Sequence, residues 1–484
     1  MSTKKASLTK NSIFYLIYNV LNIIFPFVSA IYVARILSQN AIGNVSYALN
    51  IATYFVILAF VGIPTYGMRE VAKVKDDQNK LNKVFTELVI INACSTIISL
   101  IAYSVLIFAV PAFRSNYQLF LIGGVSIVLN LFNVIWLFDG LENFKVSSIF
   151  NLITKVGCFL ILVLLVRNEN GLLWYALATA LAVSGNYLTT CFRARKFVKF
   201  DFKGLQFKRH FKPIFFLMMV NLAIEIYSLV DVTMLGMLCE KETVAIYKYA
   251  IQIQKTLLQV VNTFTMILIP RITTLFKEKK FDEFNTLISK TLGIIIVLSL
   301  PMIVGIYFTS DALMVLLYGE SYAQSANVLK LMSLLLFISP IGYLLGSRIC
   351  LVTDNEKYMP IAVGIGAVVN IAANYIFINM WKEMGAATAS VLSEIIVAII
   401  YISLGKKYFK LKDINSTLIA TLMGLALMST YLIFIKMTVS RGYVALALEI
   451  AGGVLIYGLT LIFFKEPTTM SMLNKIKRKL VKNR

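Results

Sequence analysis

Two apolar segments, Pro213–Leu238 and Val244–Pro270, are joined by a short polar turn and carry four ionisable side chains: Glu225 and Asp231 on the first, Lys248 and Lys255 on the second. Counted from the turn, Asp231 falls level with Lys248 and Glu225 level with Lys255, so two opposite-charge pairs can form. An unpaired charge at membrane depth costs about 2.5–3.5 kcal/mol on insertion scales, so such groups either neutralise one another or line a hydrophilic path. Lys248 and Lys255 are seven residues apart and share a helical face. Lys155 lies in an earlier apolar segment, Lys330 near the end of a later one, and Glu394 is a third acid at depth. The three acids are candidates for binding a coupling ion, H⁺ or Na⁺.

Amides accompany the charges: Asn19, Asn22, Asn50, Asn130, Asn133, Asn151, Asn186, Asn221, Asn262, Asn370 and Asn374 all fall in apolar stretches. Asn130 with Asn133, and Asn370 with Asn374, share faces at helical spacing. Any one Asn has a plain use in an interhelical hydrogen bond, worth about 0.6–2 kcal/mol in membranes. The set as a whole predicts a hydrophilic cavity.

Positioning these groups takes many helices. The 484 residues are 59% hydrophobic and 14% charged, with a mean hydropathy of +0.80, which places the chain among polytopic membrane proteins. We predict an all-α membrane protein of about fourteen spans: Asn11–Ala34, Ile42–Ile63, Thr86–Val110, Tyr117–Phe138, Val146–Val166, Leu172–Phe192, Pro213–Leu238, Val244–Pro270, Leu287–Phe308, Ala326–Leu345, Met359–Asn379, Ala386–Leu404, Thr417–Ile435 and Tyr443–Phe464. Each is about long enough to cross some 30 Å of hydrocarbon as a helix.

The net charge of +22 does not point to nucleic acid, because the basic residues lie in short clusters between spans. About 35 of the 46 Lys and Arg fall on the N-terminal side, which by the positive-inside bias puts both termini in the cytoplasm. The densest cluster, eight basic residues from Arg193 to Lys212, divides the chain. The expected organisation is 1–192, a six-helix lobe; 193–212, a basic cytoplasmic linker; 213–404, a second six-helix lobe; 405–464, two further spans; and 465–484, a basic tail suited to anionic lipid. A short internal match, Gly43–Asn50 with Ala245–Gln252, supports parallel repeats.

Several chemistries find no residues. The only histidine, His210, is in the basic linker, and the five cysteines have no metal-like spacing, so neither a His-based metal site nor a catalytic triad is expected. There is no G-x-x-x-x-G-K-[ST] loop for ATP. The chain is expected not to be an enzyme and to need no cofactor beyond the coupling ion.

Six stretches look familiar. Tyr32-Val-Ala-Arg-Ile-Leu-Ser38 with Gly43–Ala48 and Gly62–Glu70, then Asp231–Gly236, Ala245–Ala250 and Leu268–Arg271, resemble the motifs of Wzx-type polysaccharide flippases of the multidrug/oligosaccharidyl-lipid/polysaccharide exporter superfamily. Ala245 replaces the family's glycine. The resemblance implies two pseudo-symmetric six-helix bundles around a central cavity, with two extra C-terminal helices. It also implies alternating access and a cargo of undecaprenyl-diphosphate-linked oligosaccharide, moved from the inner to the outer leaflet of the bacterial cell membrane for capsule or exopolysaccharide assembly.

For such a cargo, Lys155, Lys248, Lys255 and Lys330 would hold the diphosphate as movable point charges. Asn50, Asn130, Asn221, Asn262, Asn370 and Asn374 would meet the glycan, and Glu225, Asp231 and Glu394 would couple to the ion. Polysaccharide polymerase and export machinery are further expected partners. Competing assignments are a lipid II flippase, a small-molecule or drug exporter of the same superfamily, and a membrane-embedded polysaccharide polymerase.

Overall fold

The computed structural model describes residues 22, 24–114, 116–266, 268–353, 355–412, 414–440, 442–471 and 473–474, except the side chains of 220, 221, 223, 224, 228, 266, 269 and 356. Within these residues the fold is all helical. Nine helical runs are long and apolar enough to cross a membrane, with shorter apolar helices at Ile24–Ala34, Tyr117–Phe132 and Leu229–Leu238. Asn19 and the start of the first predicted span lie outside the described residues.

The predicted spans fall on helices, with corrected ends and breaks. The run Met359–Gly405 holds the eleventh and twelfth spans, separated where Trp381 and Lys382 leave helical geometry. The second helix, Gln39–Phe60, stops at Val61 and Gly62, both at positive φ, and an amphipathic helix Ile63–Val74 follows. The fourth breaks after Leu129 into a 3₁₀ turn and the short helix Ile135–Gly140. The tenth continues past the predicted Leu345 to Val352. Hydropathy windows miss such ends because polar residues on a helix lower the average without ending it.

The chain forms two compact units, Met1–Ala245 and Ile246–Arg484. In the first, the helix Lys208–Leu238 packs along Gln39–Phe60, where Asn50 Nδ2 donates to Leu229 O at 3.1 Å and to Thr233 Oγ1 at 2.8 Å. Gly236 makes this approach possible, since a Cβ there would come within 2.1 Å of the Tyr47 ring.

Both units repeat one plan. In the first, Tyr47 meets Phe113 and Phe120 edge to face, with centroids 6.3 and 6.2 Å apart. In the second, Tyr249 stacks on Tyr318 at 4.4 Å and meets Tyr322 edge to face at 4.8 Å. Amphipathic helices beginning Ile-Pro, at Ile63–Val74 and Ile269–Lys277, follow each tyrosine helix.

A backbone clamp recurs as well. Asn82 Oδ1 and Thr86 Oγ1 accept the N–H groups of Lys199 and Asp201, each at 2.9 Å. Asn285 Oδ1 and Ser289 Oγ accept those of Lys410 and Lys412 at 2.9 and 2.8 Å. The acceptors lie one helical turn apart, so they match alternate residues of the extended chain they hold.

In the second unit a further clasp closes the last two spans. Glu466 is fully buried and begins the helix at Pro467; it accepts Thr417 Oγ1–H at 2.8 Å and the N–H groups of Thr468 and Thr469 at 3.0 and 2.6 Å. Burial raises its pKa, but the hydrogen bonds outweigh burial and hold the carboxyl below its ordinary 4.5. A depressed carboxyl contributes stability above its unfolded pKa and loses it as pH falls through the folded value. Glu466→Ala is therefore expected to lower the detergent melting midpoint at pH 7 by the equivalent of about 0.5–2 kcal/mol, the usual loss for a helix cap. The gap from the parent should close as the melts are taken below about pH 4.

Candidate functional site

In the first unit the helix Phe144–Leu165 carries a buried polar stripe: Ser147, Asn151, Lys155 and Cys158, spaced by four, four and three residues. Lys155 is 5% exposed. Its Nζ donates to Asn22 Oδ1 at 2.5 Å and lies 5.7 Å from the Phe25 ring centroid. Among the described residues it forms no ion pair, which distinguishes it from an ordinary intramembrane lysine. Ser29 Oγ, Ser147 Oγ, Asn151 Oδ1 and Asn186 Oδ1 are buried with no hydrogen-bond partner among the described residues. An ammonium held by an amide and an aromatic face keeps its charge uncancelled, and polar atoms left without protein partners require water or a ligand.

The second unit contains a cavity of about 330 Å³ lined by Leu258, Asn262, Thr265, Pro340, Tyr343, Leu344 and Arg348. Its wall departs from α-helical form for a traceable reason. Pro340 has no N–H for Leu336 O, and Ser299 Oγ–H satisfies that carbonyl at 2.7 Å. Residues Tyr343–Ser347 then form a π-helical turn, a device that turns the next side chains relative to an α-helix. Gly342 and Gly346 sit so close to Ala398 and Tyr401 that any Cβ would clash. The turn presents Arg348 to the cavity, without an ion pair among the described residues. A guanidinium, a phenol and an amide around one cavity can hold a phosphate or a sugar hydroxyl.

Other predicted residues are placed differently. Asn130 Nδ2 donates to Asn92 Oδ1 and Thr96 Oγ1 at 3.2 and 2.8 Å, and Asn133 donates to Asn130, so this group knits helices around the 3₁₀ break. Asn50 does the same between two helices. Lys330 is bound by both oxygens of Asp311, at 2.8 and 2.9 Å. Asn374 donates to Asn370 Oδ1 at 3.1 Å, both buried, and Asn370 Nδ2 has no partner among the described residues.

Asp231 is buried in the first unit near Tyr54, whose hydroxyl meets Thr233 at 2.9 Å, and Glu225 is half-buried in the same helix. In the second unit Lys248 is half-buried and Lys255 exposed. The Asn221 side chain lies outside the described residues. Sequence reasoning missed Arg348 because it follows the predicted end of its span; Pro340 with Gly342 and Gly346 was the available signal that this helix is bent for a purpose.

This arrangement of helices and polar interiors defines a transporter-like membrane fold, and comparison with known proteins narrows it. A family model described as "Polysaccharide biosynthesis protein" matches residues 8–276, and a MatE model matches 217–376. The chain belongs to the polysaccharide biosynthesis protein family, and its likeness to Wzx-type flippases of the exporter superfamily holds. It is 20% identical over 403 residues to a "Putative O-antigen transporter" of Escherichia coli K12, covering 82% of this chain and 96% of that one. It is 24% identical over 149 residues to the Staphylococcus aureus "Capsular polysaccharide biosynthesis protein CapF", covering 31% of this chain and 37% of that one.

Among solved structures, the inward-closed lipid II flippase MurJ superposes with a TM-score of 0.72 at 16% identity, over 94% of this chain and 99% of MurJ. An inward-facing multidrug-resistance MATE transporter of the MOP superfamily gives 0.61 at 14%, over 79% of this chain and 93% of that one. At these identities the likeness is one of fold.

The two kinds of buried polar group should separate in melts of purified protein. Asn130→Ala strands Asn92 and Asn133 and should cost about 1–3 kcal/mol. Lys155→Met removes an uncompensated cation at similar volume, and its midpoint should equal or exceed that of the parent.

Proposed function

We propose that this chain is a flippase that moves a diphosphate-linked oligosaccharide on a polyprenyl carrier from the cytoplasmic to the outer leaflet, supplying capsule or exopolysaccharide assembly. The observation that carries the reading is Lys155: a buried ammonium with no carboxylate among the described residues and with unsatisfied polar atoms on its own helix. Such a cation is costly unless something anionic visits it. Arg348, on its own cavity, supplies a second anion-binding group, in a fork geometry that suits phosphate. The lipid tail would stay in hydrocarbon while amides and hydroxyls replace water around the glycan.

Two six-helix lobes, 1–192 and 213–404, would alternate access, with both termini cytoplasmic in the cell membrane. The name of one relative, "Putative O-antigen transporter", supports a transporter role, and that of another, a capsular polysaccharide biosynthesis protein, supports a place in polysaccharide assembly. Glu225, Asp231 and Glu394 are the proposed ion-coupling groups, and anion release from the basic residues would accompany cation binding.

The test is the sidedness of carrier-linked oligosaccharide in cells depleted of the protein and complemented by variants. Depletion should leave the intermediate in the cytoplasmic leaflet; accumulation outside would instead indicate a polymerase. Lys155→Ala and Arg348→Ala should each reduce outward appearance at least tenfold with membrane levels of protein unchanged, whereas Lys330→Ala should have little effect. Glu225→Gln should alter the dependence of transport on H⁺ or Na⁺; unchanged rate and ion dependence would remove Glu225 from coupling.

A further inference from the structure

The repeated clamp exposes a difference between the units. Its hydroxyl acceptors, Thr86 and Ser289, are each followed by a charged residue, but of opposite sign: Glu87 in the first unit and Lys290 in the second. The two positions lie 203 residues apart, as do Asn82 and Asn285, and Thr86 and Ser289.

Glu87 is closed off by its own chain. It is 1% exposed, accepts the Gln206 N–H at 2.5 Å and Arg209 Nη2–H at 2.6 Å, and meets His210 Nε2 at 2.8 Å; Tyr66 OH in turn meets His210 Nδ1 at 2.9 Å. At the equivalent place in the second unit there is a cavity of about 480 Å³. Arg271, Lys290 and Lys412 line it with the acids Asp282 and Glu283, the hydroxyls of Thr286 and Ser471, and Leu268, Leu275 and Leu287. Arg271 and Lys290 make no ion pair among the described residues, and Lys412 Nζ is 3.7 Å from Asp282 Oδ1, an acid 99% exposed to solvent.

We infer that this cavity holds the phosphate of a membrane amphiphile, with Arg271, Lys290 and Lys412 as its cationic partners and the leucines against the first carbons beyond the headgroup. The first unit satisfies its carboxylate with two cationic or imidazole side chains and a backbone N–H. The second presents cations to an opening, so the complementary occupant is an anion from outside the chain. Three features select an amphiphile over a free anion: the leucine wall, the amphipathic helix Ile269–Lys277 that supplies Arg271, and the position of Ser471 on the helix begun by Glu466. Cations beside an apolar surface are what an anionic headgroup at a bilayer interface requires. This inference does not depend on the cargo assigned above.

The test uses full-length purified protein in phosphatidylcholine micelles. Added phosphatidylglycerol at a tenth of the lipid should raise the melting midpoint, and Lys290→Gln combined with Arg271→Gln should lose at least half of that rise. Each variant is read against its own midpoint in phosphatidylcholine, so destabilisation does not mimic loss of binding. Lys357→Gln, which removes a cation elsewhere on the same unit, should keep the full rise. Equal stabilisation of the double variant and the parent would overturn the site. Inorganic phosphate that stabilises as much as phosphatidylglycerol would overturn the headgroup assignment.

Discussion

A polar group placed in hydrocarbon must find its partner inside the protein. Many of the buried polar side chains among the described residues do. Asn50 takes a carbonyl and a hydroxyl from a neighbouring helix, Asn130 closes a ring with Asn92 and Thr96, Ser299 satisfies the carbonyl that Pro340 leaves open, and Lys330 has both oxygens of Asp311. Against that background the residues that depart from the rule stand out. Lys155 has an amide and an aromatic ring but no counter-charge among the described residues, and Arg348 faces a cavity.

The duplicated plan explains how such positions arise without loss of the fold. Each unit needs its amphipathic Ile-Pro helix, its aromatic cluster around Tyr47 or Tyr249 and its two-rung clamp, because these set the helix spacing and hold the connecting chain. Residues next to the clamp are freer to diverge. Glu87 and Lys290 occupy equivalent positions with opposite charge, and each sign changes what must lie opposite it. One copy closed over itself through Arg209 and His210; the other stayed open. Divergence of one partner in a repeat therefore leaves open in one unit a surface that the other closes over.

Much of the fold could be read from sequence because span length and loop charge are coarse properties that survive averaging. The all-helical membrane fold and the tyrosine repeat needed no knowledge of packing. Arg348 was not legible in this way: a window that averages twenty residues ends the span at Leu345, and nothing local says that a π turn carries the helix on to Val352. The role of a given Asn was equally hidden, since Asn130 and Asn151 differ only in what surrounds them. The first is enclosed by donors and acceptors, and the second keeps a buried oxygen unmatched among the described residues. His210 is a further residue whose surroundings the sequence did not show. Its place in a basic linker says nothing of burial, yet it is fully buried, and Glu87 and Tyr66 meet its two ring nitrogens.

Lysine and arginine at the two positions without an ion pair among the described residues suit the transport role proposed above. A site that must release its ligand gains little from deep binding energy, since affinity shared equally by the two leaflets accelerates nothing. A single ammonium on a flexible stem beside Asn22 and Phe25 would bind phosphate without fixing its orientation, whereas the guanidinium that follows the Tyr343–Ser347 turn presents a planar fork whose direction the helix sets. A cargo meeting the first would keep rotational freedom; one meeting the second would be aligned. Division of these tasks between the two compact units would let each hold the anion only as tightly as a change of conformation can undo.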